Sequence, residues 1–281
     1  MSKSYRAKKI YMKVSVYFLL AVFAAFFIIP FLWIVSTSLK GESQVFAMPP
    51  RWIPEVLRWD NYAKVFDRMP FLVYLKNSVF ISAVSIIGVV LSSSIVAYAF
   101  SNLRWPGRDA LFIFVLATMM LPMQVTMIPL FVLFKDLHWL NTFKPLTVPA
   151  FFGGGAFNIF LLRQFFLTIP KDLLDSARID GCSEFKIYWK IVLPLAKPAL
   201  ATVAILTFMF TWNDFLGPLI YLSDKMKGTL ALGVGMFVGQ HLTEWSLLMA
   251  ASVMMMIPMI LIFFLFQKYF IQGFTMSGLK E

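Results

Sequence analysis

"DSARIDGCSEFKIYWKIVLPL" runs from Asp175 to Leu195 in a chain of 281 residues and reads unlike the sequence on either side of it. Asp175, Arg178, Asp180, Glu184, Lys186 and Lys190 crowd into it, although only 14% of the chain is charged and 60% is hydrophobic. The spacing predicts two short helices with a corner between them. Pro170 suits the first turn of a helix, and Asp172 complements the dipole there. Leu173, Leu174 and Ala177 make a narrow apolar face, and Gly181 supplies a C-terminal stop. Ser183 is placed to cap a second helix, with Glu184 in its first turn. Phe185, Tyr188, Trp189 and Val192 then recur at helical spacing and predict a shared face, leaving Lys186 and Lys190 on another. Pro194 ends that helix and Pro198 starts the next element.

Outward from this stretch the chain is apolar in long blocks. A soluble domain carries roughly a quarter charged residues, and mean hydropathy here is +0.78. Crossing the hydrocarbon core takes about 20 apolar residues. Six blocks meet that need: Val14–Ser36, Val73–Phe100, Ala110–Phe134, Pro145–Phe166, Ala199–Leu222 and Ser246–Ile271. The fold class is therefore an all-α polytopic membrane protein with six transmembrane helices. Basic residues before the first block suggest a signal peptide, but the block is too long and lacks a small-residue cleavage site before Lys40, so it reads as a retained span.

The net charge of +11 agrees in sign with nucleic-acid binding, but its placement excludes that class. Lys3, Arg6, Lys8, Lys9 and Lys13 precede the first span. Arg104 and Arg108 follow the second; Lys171, Arg178, Lys186, Lys190 and Lys197 fill the loop between the fourth and fifth; Lys268 and Lys280 close the chain. Six crossings put all of these on one side, and basic excess marks the cytoplasm, so both termini are expected inside. The opposite loops balance their bases with Glu42, Glu55, Asp60, Asp67, Asp136, Asp224 and Glu244. Attraction to anionic membrane lipid is a secondary consequence.

Several spans are interrupted: Pro122 and Pro129 in the third, Gly153–Gly155 in the fourth, Gly217 and Pro218 in the fifth. Such breaks are either packing kinks or the walls of a pathway, since freed backbone groups need protein or a water-filled cavity beside them. The long external piece, residues 37–72, carries prolines that favour extended or turn structure over helix. It either caps the outer mouth or merely returns the chain. Trp33, Trp52, Trp59, Trp105 and Trp139 suit the membrane interface. The methionines, Met254–Met256 among them, fill gaps between helices. Cys182 is the single cysteine and forms no internal disulfide; it reads as a small residue beside Gly181. His138 and His241, at external loop ends, read as surface residues, and no metal-ligand spacing occurs.

The hairpin resembles the EAA motif of ATP-binding-cassette importer permeases. That pattern is Glu-Ala-Ala, three residues, Gly, nine residues, Ile, one residue, Leu-Pro. Asp175-Ser176-Ala177 stands for the first three, then come Gly181, Ile191 and Leu193-Pro194 at the same intervals. Asp for Glu and Ser for Ala keep a carboxylate and a small residue. "FLLRQFF", "IPKDLLDSARIDG", "VLPLAKPALAT", "TWNDFLGPL" and "LLMAASV" extend the resemblance from about Phe71 to Phe274, to the carbohydrate-uptake branch and its smaller, maltose-type, six-span subunit. It implies the MetI-like importer-permease fold, with residues 1–72 as tail, first span and external loop, 73–274 as the permease domain, and 275–281 as a cytoplasmic tail. Within it the loop at 167–198 carries the coupling helix: Asp175, Ser176, Ala177, Arg178, Ile179, Asp180, Gly181, Ile191, Leu193 and Pro194 would meet an ATPase. The implied partners are a second homologous permease, two ATPase subunits, and an extracytoplasmic solute-binding protein, in a bacterial or archaeal plasma membrane. ATP would bind the partners. No G-x-x-x-x-G-K-[ST] loop is present, so this chain is not the phosphate-binding subunit and is not an enzyme by itself.

Polar groups inside spans are costly and mark candidate sites. Trp212, Asn213 and Asp214 lie in the fifth span beside its break and suit a sugar, which offers hydroxyls to amide and carboxylate and a C–H face to indole. Asp214 equally suits capping a broken helix. For Gln124 and Asn158 the stronger reading is interhelical hydrogen bonding. The rival solute is another polar compound such as a glycerol phosphate ester. A lipid-modifying alcohol phosphotransferase is faintly suggested by "SARIDG", but the residue order is wrong and the later paired aspartates are missing. A gradient-driven transporter would show inverted halves with matching broken helices, and no such pair is found.

Overall fold

An apolar block crossing a bilayer must satisfy its own backbone, and a helix does so within one segment. A computed structural model of the chain describes residues 3–239 and 243–278, with side chains placed for 10–239 and 243–268. It is helical nearly throughout, and the described residues form no strand beyond the isolated bridge of Val238 with Thr243. The main helices are α1 (Lys3–Ser38), α2 (Asp60–Arg68), α3 (Phe71–Asn102), α4 (Arg108–Ala117), α5 (Met123–Asp136), α6 (Ala156–Phe166), α7 (Lys171–Ile179), α8 (Glu184–Ile187), α9 (Lys197–Trp212), α10 (Leu216–Tyr221) and α11 (Trp245–Gly278). Four stretches among the described residues are each long and apolar enough to cross a membrane, and counting each of two bent pairs as one crossing brings the number to six.

The spans differ from straight rods in instructive ways. The block expected over Ala110–Phe134 is α4, a 3-10 turn at Thr118–Met120 and α5, bent by 97°. Pro122 is the cause: it lacks an N–H and its ring collides with a continuing helix. The fourth block opens with short turns at Lys144–Thr147 and Val148–Phe151 before α6. Gly153, Gly154 and Gly155 all have positive φ. A Cβ at Gly154 would lie 2.7 Å from the Val89 carbonyl oxygen, so only glycine lets this break approach the α3 backbone. The fifth block is α9, about 24 Å long at roughly 1.5 Å per residue, and α10, separated by Asn213–Phe215. The Glu184–Leu195 segment meets α9 at 77°.

The external piece departs from its expectation. Residues 47–58 are non-helical, as their prolines require, but α2 follows as a nine-residue helix. It buries Asn61 and Val65, and the Asn61 amide donates to the carbonyls of Ser38 (2.8 Å) and Lys40 (2.9 Å).

The chain divides into two units. One holds the chain up to Met69 with Val234–Met256. Within it Arg68 pairs with Glu244 at 2.7 Å, Glu42 accepts from the Ser246 N–H at 2.8 Å, and the Lys40 ammonium lies 4.0 Å above the Trp33 ring. The other holds Pro70–Gly233 and the chain from Ile257. Its centre is α3, which packs on α6 and α9 and buries several small residues, Ser78, Ser82, Ser85 and Ser93 among them, with Ser82 accepting from Thr211 of α9 at 3.0 Å. Lipid supplies no hydrophobic drive between spans, so close packing of small residues takes its place. Ser85 and Ser92 donate to the carbonyls of Leu146 (3.1 Å) and Ala150 (2.8 Å), satisfying backbone freed by the broken fourth span. Towards residues 100 and 187 this interior becomes an apolar cluster that includes Tyr98, Phe100, Leu162, Phe166, Leu174, Ile187 and Val192.

Candidate functional site

The Asp175–Leu195 stretch folds as two short helices, α7 and the segment beginning with α8. Their corner is built from the chain alone. After Asp180 caps α7, Gly181 takes φ +76°, its N–H donates to Arg178 O, and the Cys182 N–H reaches back to Ala177 O, both at 3.0 Å. This pair of bonds is the Schellman arrangement, which needs a left-handed residue where glycine stands. No atom lies within 4 Å of a Cβ built there, so the demand is conformational and not steric. Ser183 then caps α8, its hydroxyl accepting from the Lys186 N–H at 3.4 Å.

The second helix does not hold one apolar face. Phe185 and Trp189 project outward, 69% and 54% exposed, whereas Tyr188 and Val192 are buried with Ile187. The reason is a π-helical turn at Tyr188–Val192, whose wider spacing shifts the register of the residues after it. The helical path also continues through Pro194 to Leu195, one residue beyond the expected stop. In α7, Leu174 and Ala177 are buried but Leu173 is exposed, and Ile179 stands 86% exposed at the corner. The side turned away from the core thus presents Ile179, Phe185 and Trp189, with the last two rings stacked at 6.3 Å.

Charge locks the corner. Arg178 bonds Glu184 through Nε (2.7 Å) and Nη2 (3.3 Å), and Asp175 through Nη1 (2.6 Å). The hydrogen bonds to Glu184 raise the Arg178 pKa, and the same bonds hold Glu184 below the usual carboxylate range. Both groups stay charged at neutral pH. Ser176 bonds its own helix at Asp172 O (2.7 Å), Asp180 is exposed, Ile191 and Leu193 are half-buried, and Pro194 is exposed. The residues expected to meet a partner are therefore together on one hairpin, some facing out and some holding it in place. Sequence reasoning missed Tyr98, whose hydroxyl donates to Glu184 Oε2 at 2.5 Å, and Ser94, which shares a 2.8 Å hydrogen bond with the Tyr188 hydroxyl. Their signal was present: two hydroxyls four residues apart near the end of an apolar span.

The residues expected along a solute path are not brought together. A cavity of about 450 Å³ lies among α3, α6, α9 and the broken fourth span, lined in part by Ser85, Phe157, Asn158, Thr207, Phe210 and Thr211. Asn158 alone of the five candidates lines it, and its amide also donates to Gly154 O at 2.7 Å. Trp212 is buried against Phe208, with ring centroids 5.1 Å apart. Asn213 bonds Met209 O at 2.8 Å and approaches the Met259 sulfur at 3.6 Å. Asp214 accepts from the Gly217 N–H at 3.0 Å and so caps α10 across the break. Gln124 is exposed on α5. His138 is exposed, with φ +55°, after α5, and His241 lies outside the described residues.

Broken apolar spans around a cavity, with a rigid charged hairpin at one end of the bundle, define a membrane transport component. The chain belongs to the family of binding-protein-dependent transport system inner membrane components, which matches residues 88–276. It is thus an inner-membrane transporter subunit and not an enzyme. Similar proteins include the arabinooligosaccharides transport system permease protein of Halalkalibacterium halodurans, 39% identical over 228 residues and 81% of each chain. The sn-glycerol-3-phosphate transport system permease protein of Yersinia pestis is 34% identical over 251 residues, 86% of this chain and 88% of its own. A crystal structure of a bacterial ABC transporter involved in import of the acidic polysaccharide alginate holds a chain of the same fold. It has a TM-score of 0.78 and 27% identity, covering 96% of this chain and 99% of that one.

Proposed function

We propose that the chain is the permease subunit of an ATP-binding-cassette importer for a sugar or oligosaccharide, and that the Asp175–Leu195 hairpin docks onto separate ATPase subunits. The observation that carries this reading is the hairpin's two-sidedness. Leu174, Ala177, Ile187 and Val192 anchor it in the permease interior, while Ile179, Phe185 and Trp189 stand exposed beside a corner held by Arg178. An apolar knob on a rigid support fits a groove in a partner, and such buried aromatic anchors carry much of an interface's binding energy. On this reading two ATPase subunits, a second homologous permease and an extracytoplasmic binding protein complete the complex, with both termini of this chain in the cytoplasm. Relatives named for arabinooligosaccharides, and a structural neighbour named for alginate, support carbohydrate as the solute class.

The relatives named for sn-glycerol-3-phosphate favour a second reading, a polar phosphate ester. Uptake by the reconstituted complex against arabinotriose, maltotriose, alginate oligomers and glycerol 3-phosphate separates the two. Transport of a saccharide with none of the ester is expected; the reverse pattern overturns the carbohydrate assignment.

A further inference from the structure

The hairpin is tied to α3 at two points, and the ties are in register. On α3, Ser94 and Tyr98 stand one helical turn apart. On the hairpin, Glu184 and Tyr188 do the same. Tyr98 OH donates to Glu184 Oε2 at 2.5 Å, and Ser94 Oγ and Tyr188 OH share a hydrogen bond of 2.8 Å. The Tyr98 and Tyr188 rings also lie 5.4 Å apart, and Tyr98, Tyr188 and Ser94 are all buried. Glu184 is the shared element: its carboxylate takes both the Tyr98 hydroxyl and the Arg178 fork that closes the hairpin corner. A hydrogen bond to a charged group is shorter and roughly twice as strong as a neutral one. The Tyr98–Glu184 bond is of that kind, and together with the neutral Ser94–Tyr188 bond a turn away it resists both sliding and rotation of the hairpin against α3, where one bond would act as a pivot.

We propose that Glu184 and Tyr98, with Ser94 and Tyr188 as the second tie, are positioning residues that turn displacement of the docked hairpin into displacement of α3. This rests on the docking role proposed above and names the route by which that docking reaches the spans. Because α3 packs on α6 and α9, and Ser82 bonds the cavity-lining Thr211 of α9, it carries the movement to the helices that line the cavity. Ser101 on α3 makes no tie to the hairpin: its hydroxyl bonds the Ala97 and Tyr98 carbonyls and accepts from the Asn102 amide, all on its own helix.

The test uses the complete complex in liposomes, with Mg-ATP as the only added ligand. Cys182→Ser removes the native thiol, and Phe210→Cys places a reporter on α9, at the cavity. The readouts, each taken per assembled complex, are ATP hydrolysis and the ATP-driven change in maleimide labelling of the reporter. Tyr98→Phe and Glu184→Gln are each expected to cut the labelling response about threefold or more, as loss of a charge-assisted bond warrants. Hydrolysis should stay within about twofold, and the double variant should fall no further than the worse single one, since both remove one interaction. Ser101→Ala should match the unmodified chain, and Ser94→Ala should weaken the response less than Glu184→Gln. A full labelling response in Tyr98→Phe and Glu184→Gln overturns the proposal. So does a lower yield of complex with an unchanged response per complex, which would make the ties structural only. Failure of the docking reading looks different: Gly181→Val would then also leave the response intact, or the unmodified complex would show none.

Discussion

At the scale of single residues, Gly181 makes a demand that is purely conformational. Its φ of +76° is a conformation that costs an L-residue with a Cβ roughly 1–2 kcal/mol, more when the side chain is β-branched. Nothing lies within 4 Å of the added Cβ, so a substitution is resisted by the backbone and not by crowding. That separation makes a clean prediction. Gly181→Val should leave membrane insertion intact but abolish solute uptake, with ATPase subunits that either dissociate more readily or hydrolyse ATP without response to loaded binding protein. Gly181→Asn, which tolerates the left-handed region, should recover most of the uptake that Val loses. Equal loss in both variants would show that the residue acts through size at an interface instead. The Asp175→Glu exchange should be nearly silent, because Asp175 is 60% exposed and pairs with Arg178 at the surface. Uptake and stimulated hydrolysis measured together on these three variants decide the matter.

At the scale of elements, what was legible in the sequence depended on whether its cause was local. Gly181 and the Ser183 cap could be read because each acts on its own neighbours. Pro122 marks an interruption in the sequence, but a proline alone does not specify the 97° by which α4 and α5 turn. The π-turn at Tyr188–Val192 escaped for the same reason. An ordinary helix would place Phe185, Tyr188, Trp189 and Val192 on one face, whereas the wider turn separates them and sets Tyr188 against Ser94 and Tyr98 of α3. The expected solute residues fit two roles at once. Trp212, Asn213 and Asp214 have the chemistry of a sugar site, and local bonds also engage the two polar side chains. Asp214 fills a cap, and Asp and Asn cap about equally well whereas Ala loses about 1 kcal/mol. Hence Asp214→Asn should assemble and transport like the unmodified chain, and Asp214→Ala should lower the melting temperature of the solubilised complex. If Asp214→Asn changes uptake affinity or selectivity with assembly unaltered, the carboxylate meets solute after all.

At the scale of the whole molecule, the charges and the helices have to agree on one topology. The topology proposed above has six crossings, which would put Arg104, the Asp175–Leu195 hairpin and the chain end on the same side as the first residues. The basic excess in the sequence supports the cytoplasm as that side. The proposed docking requires the same answer, since ATP and the ATPase subunits are cytoplasmic. The bent pairs are where this could fail. If α4 and α5 formed a re-entrant loop instead of a crossing, every later segment would change sides, and the hairpin would face the outside with its exposed Phe185 and Trp189. Topology reporters test this directly. A reporter fused after Glu281, or inserted near Arg104 or Lys190, should report cytoplasm, and one near Arg58 or Lys225 should report the outside. An outside signal at Lys190 with a cytoplasmic one at Arg104 would mean that the α4–α5 pair does not cross. The hairpin would then be on the wrong side of the membrane for any ATPase to reach it.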